Sequence, residues 1–166
     1  MEHYRAGDDN MAENTIYDMV SIIEEKLELL KHILDVKPKQ KEAIEKEDID
    51  AIESSLSTIQ KQISAIDQLD SIYADKLKEL KDRVGVESIE ELDHTKFPNT
   101  IALRDRIKEI RSVLEAIKII DDENIALMND KFQETKEKLK NLRKGQKVVK
   151  GYSSDHDETM FINERN

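Results

Sequence analysis

At 166 residues the chain has room for one ordinary domain, or for a few long helices folded back on one another, but not for two separate cores. Charged residues make up 39% of it and aromatics 4%, with four Gly, two Pro and neither Cys nor Trp, so helix formers dominate and sheet is disfavoured; disulfides, thiolate metal sites and cysteine nucleophiles are excluded. A formal net charge of −10 sets the chain against the phosphate backbone as its main partner.

Residues 1–14 are polar and acidic, without a hydrophobic period, and are expected to be disordered, with Met11 an alternative start. No basic start leads into an apolar run there, and no later stretch approaches the ~18–20 apolar residues of a membrane span, so the cytoplasm is the expected location. From about residue 15, Ile16, Met19, Ile23, Leu27, Leu30 and Leu34 recur at three- and four-residue steps and predict a first helix over 15–46. Pro38 removes a backbone donor and crowds the preceding turn, which predicts a kink near Val36 before Ala43 and Ile44 resume the stripe.

A hairpin bend at Lys46 to Asp48 follows, with Asp48 placed to cap a second helix over 48–84. Its heptad register runs through Ile49, Ile52, Leu56, Ile59, Ile63, Ile66, Asp70, Tyr73, Leu77, Leu80 and Val84, and Gly85 is suited to the left-handed residue that ends it. Ser88 is the expected cap of a short turn carrying Ile89 and Leu92, and Asn99, after Pro98, the expected cap of a third helix over 99–143. That helix carries Leu103, Ile107, Ile110, Leu114 and Ile117, meets Asp121 and Asn124, and then shifts its apolar positions by one to Ile125, Met128, Phe132, Leu139 and Leu142. Lysine and arginine dominate 136–150, and Gly145 and Gly151 loosen the chain, so 145–166 is expected to be a flexible tail.

The fold class is therefore all-α: an elongated antiparallel three-helix bundle. At 1.5 Å per residue the second helix spans roughly 54 Å and the third roughly 66 Å, so the third should overshoot the hairpin and leave Leu139 and Leu142 without an intramolecular partner. Unpaired apolar ridges of this kind mark an interaction site, with a homodimer seam or fraying of the helix end as the alternatives.

Little in the chain points to catalysis. The four histidines are scattered, and Glu91 with His94 makes one Glu-x-x-His pair where a di-iron bundle needs two and further carboxylates. The cluster Asp121, Asp122, Glu123 and Asp130 lies inside a helix and lacks the glycine of a calcium loop. Gly145 to Gly151 has no Gly-Lys-Ser/Thr and no preceding strand to cradle a phosphate. No enzyme activity, metal or cofactor is expected. The basic stretch with Tyr152 leaves a nucleic-acid accessory protein as a weaker alternative to protein binding. Asp70 and Asn124, polar at seam positions, are either register-setting layers or, for Asn124, part of a partner groove.

The stretch from Ile117 to Asp130, with Ile-Asp-Asp-Glu-Asn-Ile-Ala-Leu-Met, resembles the third-helix pattern of the FlgN family, in which an Asn precedes an apolar pair. The ending, Gly145-Gln-Lys-Val-Val-Lys-Gly-Tyr152, a polar spacer, then Phe161-Ile-Asn-Glu-Arg, is similar to the family's Lys-rich segment, tyrosine and terminal Phe-Ile-Asp-Lys, with Asn163 in place of the usual Asp. The resemblance covers the chain from about residue 15. It implies a flagellar type III export chaperone that holds the hook-associated proteins FlgK and FlgL soluble and unassembled until export. On that reading Asn124, Ile125, Met128, Phe132, Leu139 and Leu142 form the client face, and Tyr152 and Phe161 dock on the client or the export gate. A structural homodimeric coiled-coil adaptor is the alternative.

Overall fold

The computed structural model describes residues 2–152, with side-chain surroundings for residues 7–147. Three helices, α1 (Glu2–Glu45), α2 (Ile49–Val84) and α3 (Asn99–Tyr152), are joined by a tight hairpin and by a connector with one 3₁₀ turn (Ile89–Glu91); no strand occurs among the described residues. The chain divides into two compact units, Met1–Asn124 and Ile125–Asn166, and α3 contributes to both.

The first unit is an up-down-up bundle, and its polar contacts fix the directions. Asp8 meets Arg83, Asp18 meets Lys76 and Lys26 meets Asp70, so α2 runs antiparallel to α1. Glu13 meets Asn99, Glu24 meets Arg106 and Lys37 meets Asp121, so α3 returns parallel to α1. The core is drawn from Ile16, Met19, Leu27 and Leu30 of α1, Ile59, Ile66 and Leu80 of α2, Leu103 and Ile110 of α3, and Leu92 and Phe97 of the connector. The helical members are the stripe positions of the sequence, where hydrophobic burial outweighs the modest helix propensity of the Ile residues, and Phe97 of the connector joins them from outside any stripe.

The first helix starts at Glu2, not near residue 15. Gly7, Asp8, Asp9 and Asn10 are poor helix formers, but tertiary contacts override them: Ala12 is fully buried, Asp8 pairs with Arg83 and Asp9 with Lys96. Pro38 lies inside α1 and does not split it. Its ring is on the exposed side, while Lys37, Gln40, Ala43 and Ile44 are buried, so packing holds the helix together across the one missing backbone bond. The apolar stripe also departs from its expected course here. Ile33 is buried where Leu34 is only half-buried, and Lys37 and Gln40 occupy the seam beyond it.

The helix ends follow local chemistry. Asp48 caps α2 by accepting the Ala51 N–H at 3.1 Å, and Gly85, at φ +74°, closes it by donating its N–H to the Lys81 carbonyl. At the hairpin, Asp48 N–H reaches the Ala43 carbonyl and Glu47 N–H the Ile44 carbonyl, the paired bonds of a Schellman motif. Its left-handed position falls on Glu47, at φ +55°, where glycine is usual. Two expected caps are replaced. Ser88 makes no side-chain capping bond; the Glu91 carboxylate accepts the Glu87 N–H there instead. Asn99 gives its own side-chain amide and backbone N–H to Glu13 Oε1, so an anion from α1 serves the start of α3. Arg104 Nη2 gathers the carbonyls of Ile89, Glu90 and Leu92, which ties the connector to α3. The third helix runs on to Tyr152, past the expected end at 143: Gly145 is helical, and the lysine-rich run supplies good helix formers on both sides of it.

Candidate partner-binding face

Side-chain hydrogen bonds between α3 and α1 span Asn99 to Asn124. At the far end of that span lies a polar layer. Asn124 is 3% exposed and its Nδ2 donates to the Lys37 carbonyl at 3.1 Å and to Gln40 Oε1 at 3.2 Å, while Lys37 Nζ donates to Asp121 Oδ1 at 2.6 Å and Lys41 Nζ to Glu123 Oε2 at 3.3 Å. A second polar pair, Gln62 with the His32 ring, crosses from α2 to α1. Asn124 thus spends its donor inside the bundle, and Lys37 and Gln40 are the members of the layer that apolar periodicity could not reveal. Each acid of the run Asp121 to Glu123 is engaged by a lysine, Asp121 by Lys37, Asp122 by Lys118 and Glu123 by Lys41. Among the described residues no group of three or more His, Asp or Glu is placed to hold a metal ion.

The second unit, described from Ile125 to Tyr152, is helical and carries the other sequence-predicted residues. Ile125 is 53% exposed, Met128 39%, Phe132 64%, Leu139 51% and Leu142 62%. Large apolar side chains left this far in water are unusual in a row, and here they recur at steps of three, four, seven and three residues. A helix brings such spacing onto one face, so these five form a single exposed stripe, and Asn124 is set apart from them by its burial. Thr135 completes the row but turns its hydroxyl to the Lys131 carbonyl, four residues back. Between Ile125 and Lys147 seven cations stand against three carboxylates, so the stripe lies in a positive surround within a chain that is acidic overall. Tyr152 ends α3, and Phe161 lies outside the described residues.

A further set of exposed apolar side chains, Ile49, Leu56 and Ile63, occupies the first unit on α2. The heptad register places these three in the seam. Only the alternate row, Ile52, Ile59 and Ile66, is buried, because the contacts of α2 are chiefly with α1 and one row suffices for one neighbour.

No helix among the described residues is long and apolar enough to cross a membrane. No curated protein and no solved structure gave a significant match to the chain. The family model described as FlgN protein matches residues 11–159, which takes in most of α1, all of α2 and the whole of α3 with its exposed stripe. By that match the chain belongs to the FlgN family of flagellar export chaperones.

Proposed function

We propose that this chaperone holds hook-associated flagellar proteins of the FlgK and FlgL type through the stripe Ile125, Met128, Phe132, Leu139 and Leu142, keeping them soluble and unassembled in the cytoplasm until export. The observation that carries the reading is the exposure of five large apolar side chains on one face of α3. A groove or stripe of this kind receives the apolar face of an amphipathic client helix and releases it without covalent chemistry. Met128, with its flexible thioether, adapts to more than one client. Tyr152 and Phe161 are proposed, on the sequence resemblance, to extend the contact to the client or to the export gate.

Co-expression with a FlgK- or FlgL-like protein tests the reading. The wild-type chain is expected to yield a soluble complex, and Phe132→Asp combined with Leu139→Asp to abolish it, since loss of one central anchor costs about 2 kcal/mol, or roughly 30-fold in affinity. A complex that survives the double change but is lost with Leu56→Asp would move the site to the exposed row of α2.

A further inference from the structure

We infer that the partner of this stripe is an amphipathic helix whose apolar seam is bordered by carboxylates, and that the same face rejects a second copy of this chain. The inference rests on the reading of the stripe as a binding face and adds the chemistry of what binds there. Ile125, Met128, Phe132, Thr135, Leu139 and Leu142 alternate in steps of three and four, so they occupy the a and d positions of a heptad register. The flanking e positions are then Asn129, Lys136 and Arg143, and the g positions Lys131, Lys138 and Gly145. Every charged residue bordering the seam is a cation. The carboxylates of the segment, Asp130, Glu134 and Glu137, fall at positions c and f, away from the seam. Lys136, Lys138 and Arg143 are exposed, and Lys131 has only a marginal contact with Glu134 at 3.9 Å, so these charges are available to a neighbour.

Charges at e and g set the identity and orientation of a coiled-coil partner. In a parallel pair of identical chains Lys131 would face the partner's Lys136, and Lys138 the partner's Arg143. In an antiparallel pair g would face g and e would face e, again cation against cation. Both arrangements of a homodimer repel, whereas a helix with Glu or Asp at its own e and g positions gains up to four opposite-charge pairs. The seam from Ile125 to Leu142 is roughly 27 Å long and contains a polar Thr135, so its apolar contribution is modest and the flanking charges weigh heavily in the choice of partner.

The test uses the full chain and three synthetic helical peptides that share one Leu/Ile seam and differ only in carrying Glu, Gln or Lys at every e and g position. Isothermal titration is expected to rank them Glu above Gln above Lys. With each pair worth about twofold, the Glu peptide should bind roughly tenfold tighter than the Gln peptide, and this advantage should shrink in concentrated salt. The quadruple change Lys131→Glu, Lys136→Glu, Lys138→Glu and Arg143→Glu, at exposed or partly exposed positions that keep the fold by circular dichroism, should invert the ranking. Equal binding of all three peptides, with client and peptide binding both lost in Leu139→Asp, would overturn the charge inference and leave the face intact. Client binding unaffected by Leu139→Asp would instead remove the face itself. A sedimentation mass that shows a dimer dissociated by Leu139→Asp, or binding to anionic phospholipid vesicles without binding to the Glu peptide, would likewise overturn the inference.

Discussion

Asn124→Ala tests whether the polar layer between α1 and α3 is held by the Asn124 amide. Two bonds are lost, to the Lys37 carbonyl and to Gln40 Oε1, at about 1 kcal/mol each. The Gln40 side chain is buried, so its oxygen loses a partner without gaining water. Against this, Asn124 Oδ1 is itself buried with no partner, and removing it returns about 1 kcal/mol. The net loss is about 1–2 kcal/mol, which at a urea slope of roughly 1.5 kcal/mol/M lowers the midpoint by about 1 M. Asn124→Asp should cost more, because an ionised carboxylate offers two acceptors to two acceptors. Protonation restores one donor, so the introduced carboxyl has a folded-state pKa above its unfolded value. Its penalty is then smallest below the unfolded value of about 4 and grows as pH rises through the raised folded value. Urea unfolding followed by far-UV circular dichroism at pH 4 and pH 7 measures both. A midpoint for Asn124→Ala at or above wild type, or a loss in Asn124→Asp that does not change with pH, would refute the assignment of the amide as donor to these carbonyls.

Glu47→Gly should stabilise the protein by about 0.5–1 kcal/mol, seen as a raised thermal midpoint, because Glu47 holds a left-handed conformation at φ +55° that glycine adopts without steric cost. Leu80→Ala should destabilise by about 2–5 kcal/mol in denaturant titration, since Leu80 is fully enclosed between the helices and its loss leaves a cavity. Burial, with a contribution from the Glu90 carboxylate, pushes the Tyr73 phenol up to about 12, so an ultraviolet absorbance titration should show one late-ionising tyrosine that Tyr73→Phe removes. The stabilisation tied to its neutral form is present below the unfolded value of about 10 and is lost as pH rises through about 12.

The readable parts of this fold were those where one residue type answers one local need. The apolar stripes placed all three helices, Asp48 and Gly85 marked the ends of α2, and the shift at Asp121 to Ile125 falls where α3 passes from the first compact unit to the second. The unreadable parts depend on partners distant in sequence. The first turns of α1 look disordered because Gly7 to Asn10 lack helix propensity, and only Arg83, Lys96 and Asn99 arriving from elsewhere make a helix there worth its entropy. Lys37 and Gln40 look like surface residues until Asp121 and Asn124 are laid against them. Asn99 has the identity of a cap, yet Glu13 supplies the anion and takes its donors. The exposure of the five apolar residues of the candidate face followed from their place beyond the phase change, and of the two readings open for Asn124 the burial against α1 fits the register-setting layer.

The phase change in α3 separates a row that is buried in the bundle from the exposed row that follows it. One row, Ile107, Leu114, Asp121, Met128, Thr135 and Leu142, continues unbroken in steps of seven. Its companion row runs Leu103, Ile110, Ile117 and Asn124, then restarts one residue later as Ile125, Phe132 and Leu139, so that two four-residue steps follow each other from Ile117 to Asp121 to Ile125. An insertion of this type rotates the seam locally and ends the register that precedes it. Polar residues mark the place on both rows, Asp121 held by Lys37 and Asn124 by Gln40. An apolar pair at these two positions would give up the bonds that fix the register against α1 and would join the two apolar seams into one continuous stripe, open to slippage by a heptad. The polar layer thus fixes Asp121 and Asn124 against α1, and the row that restarts at Ile125 follows it with cations on its borders.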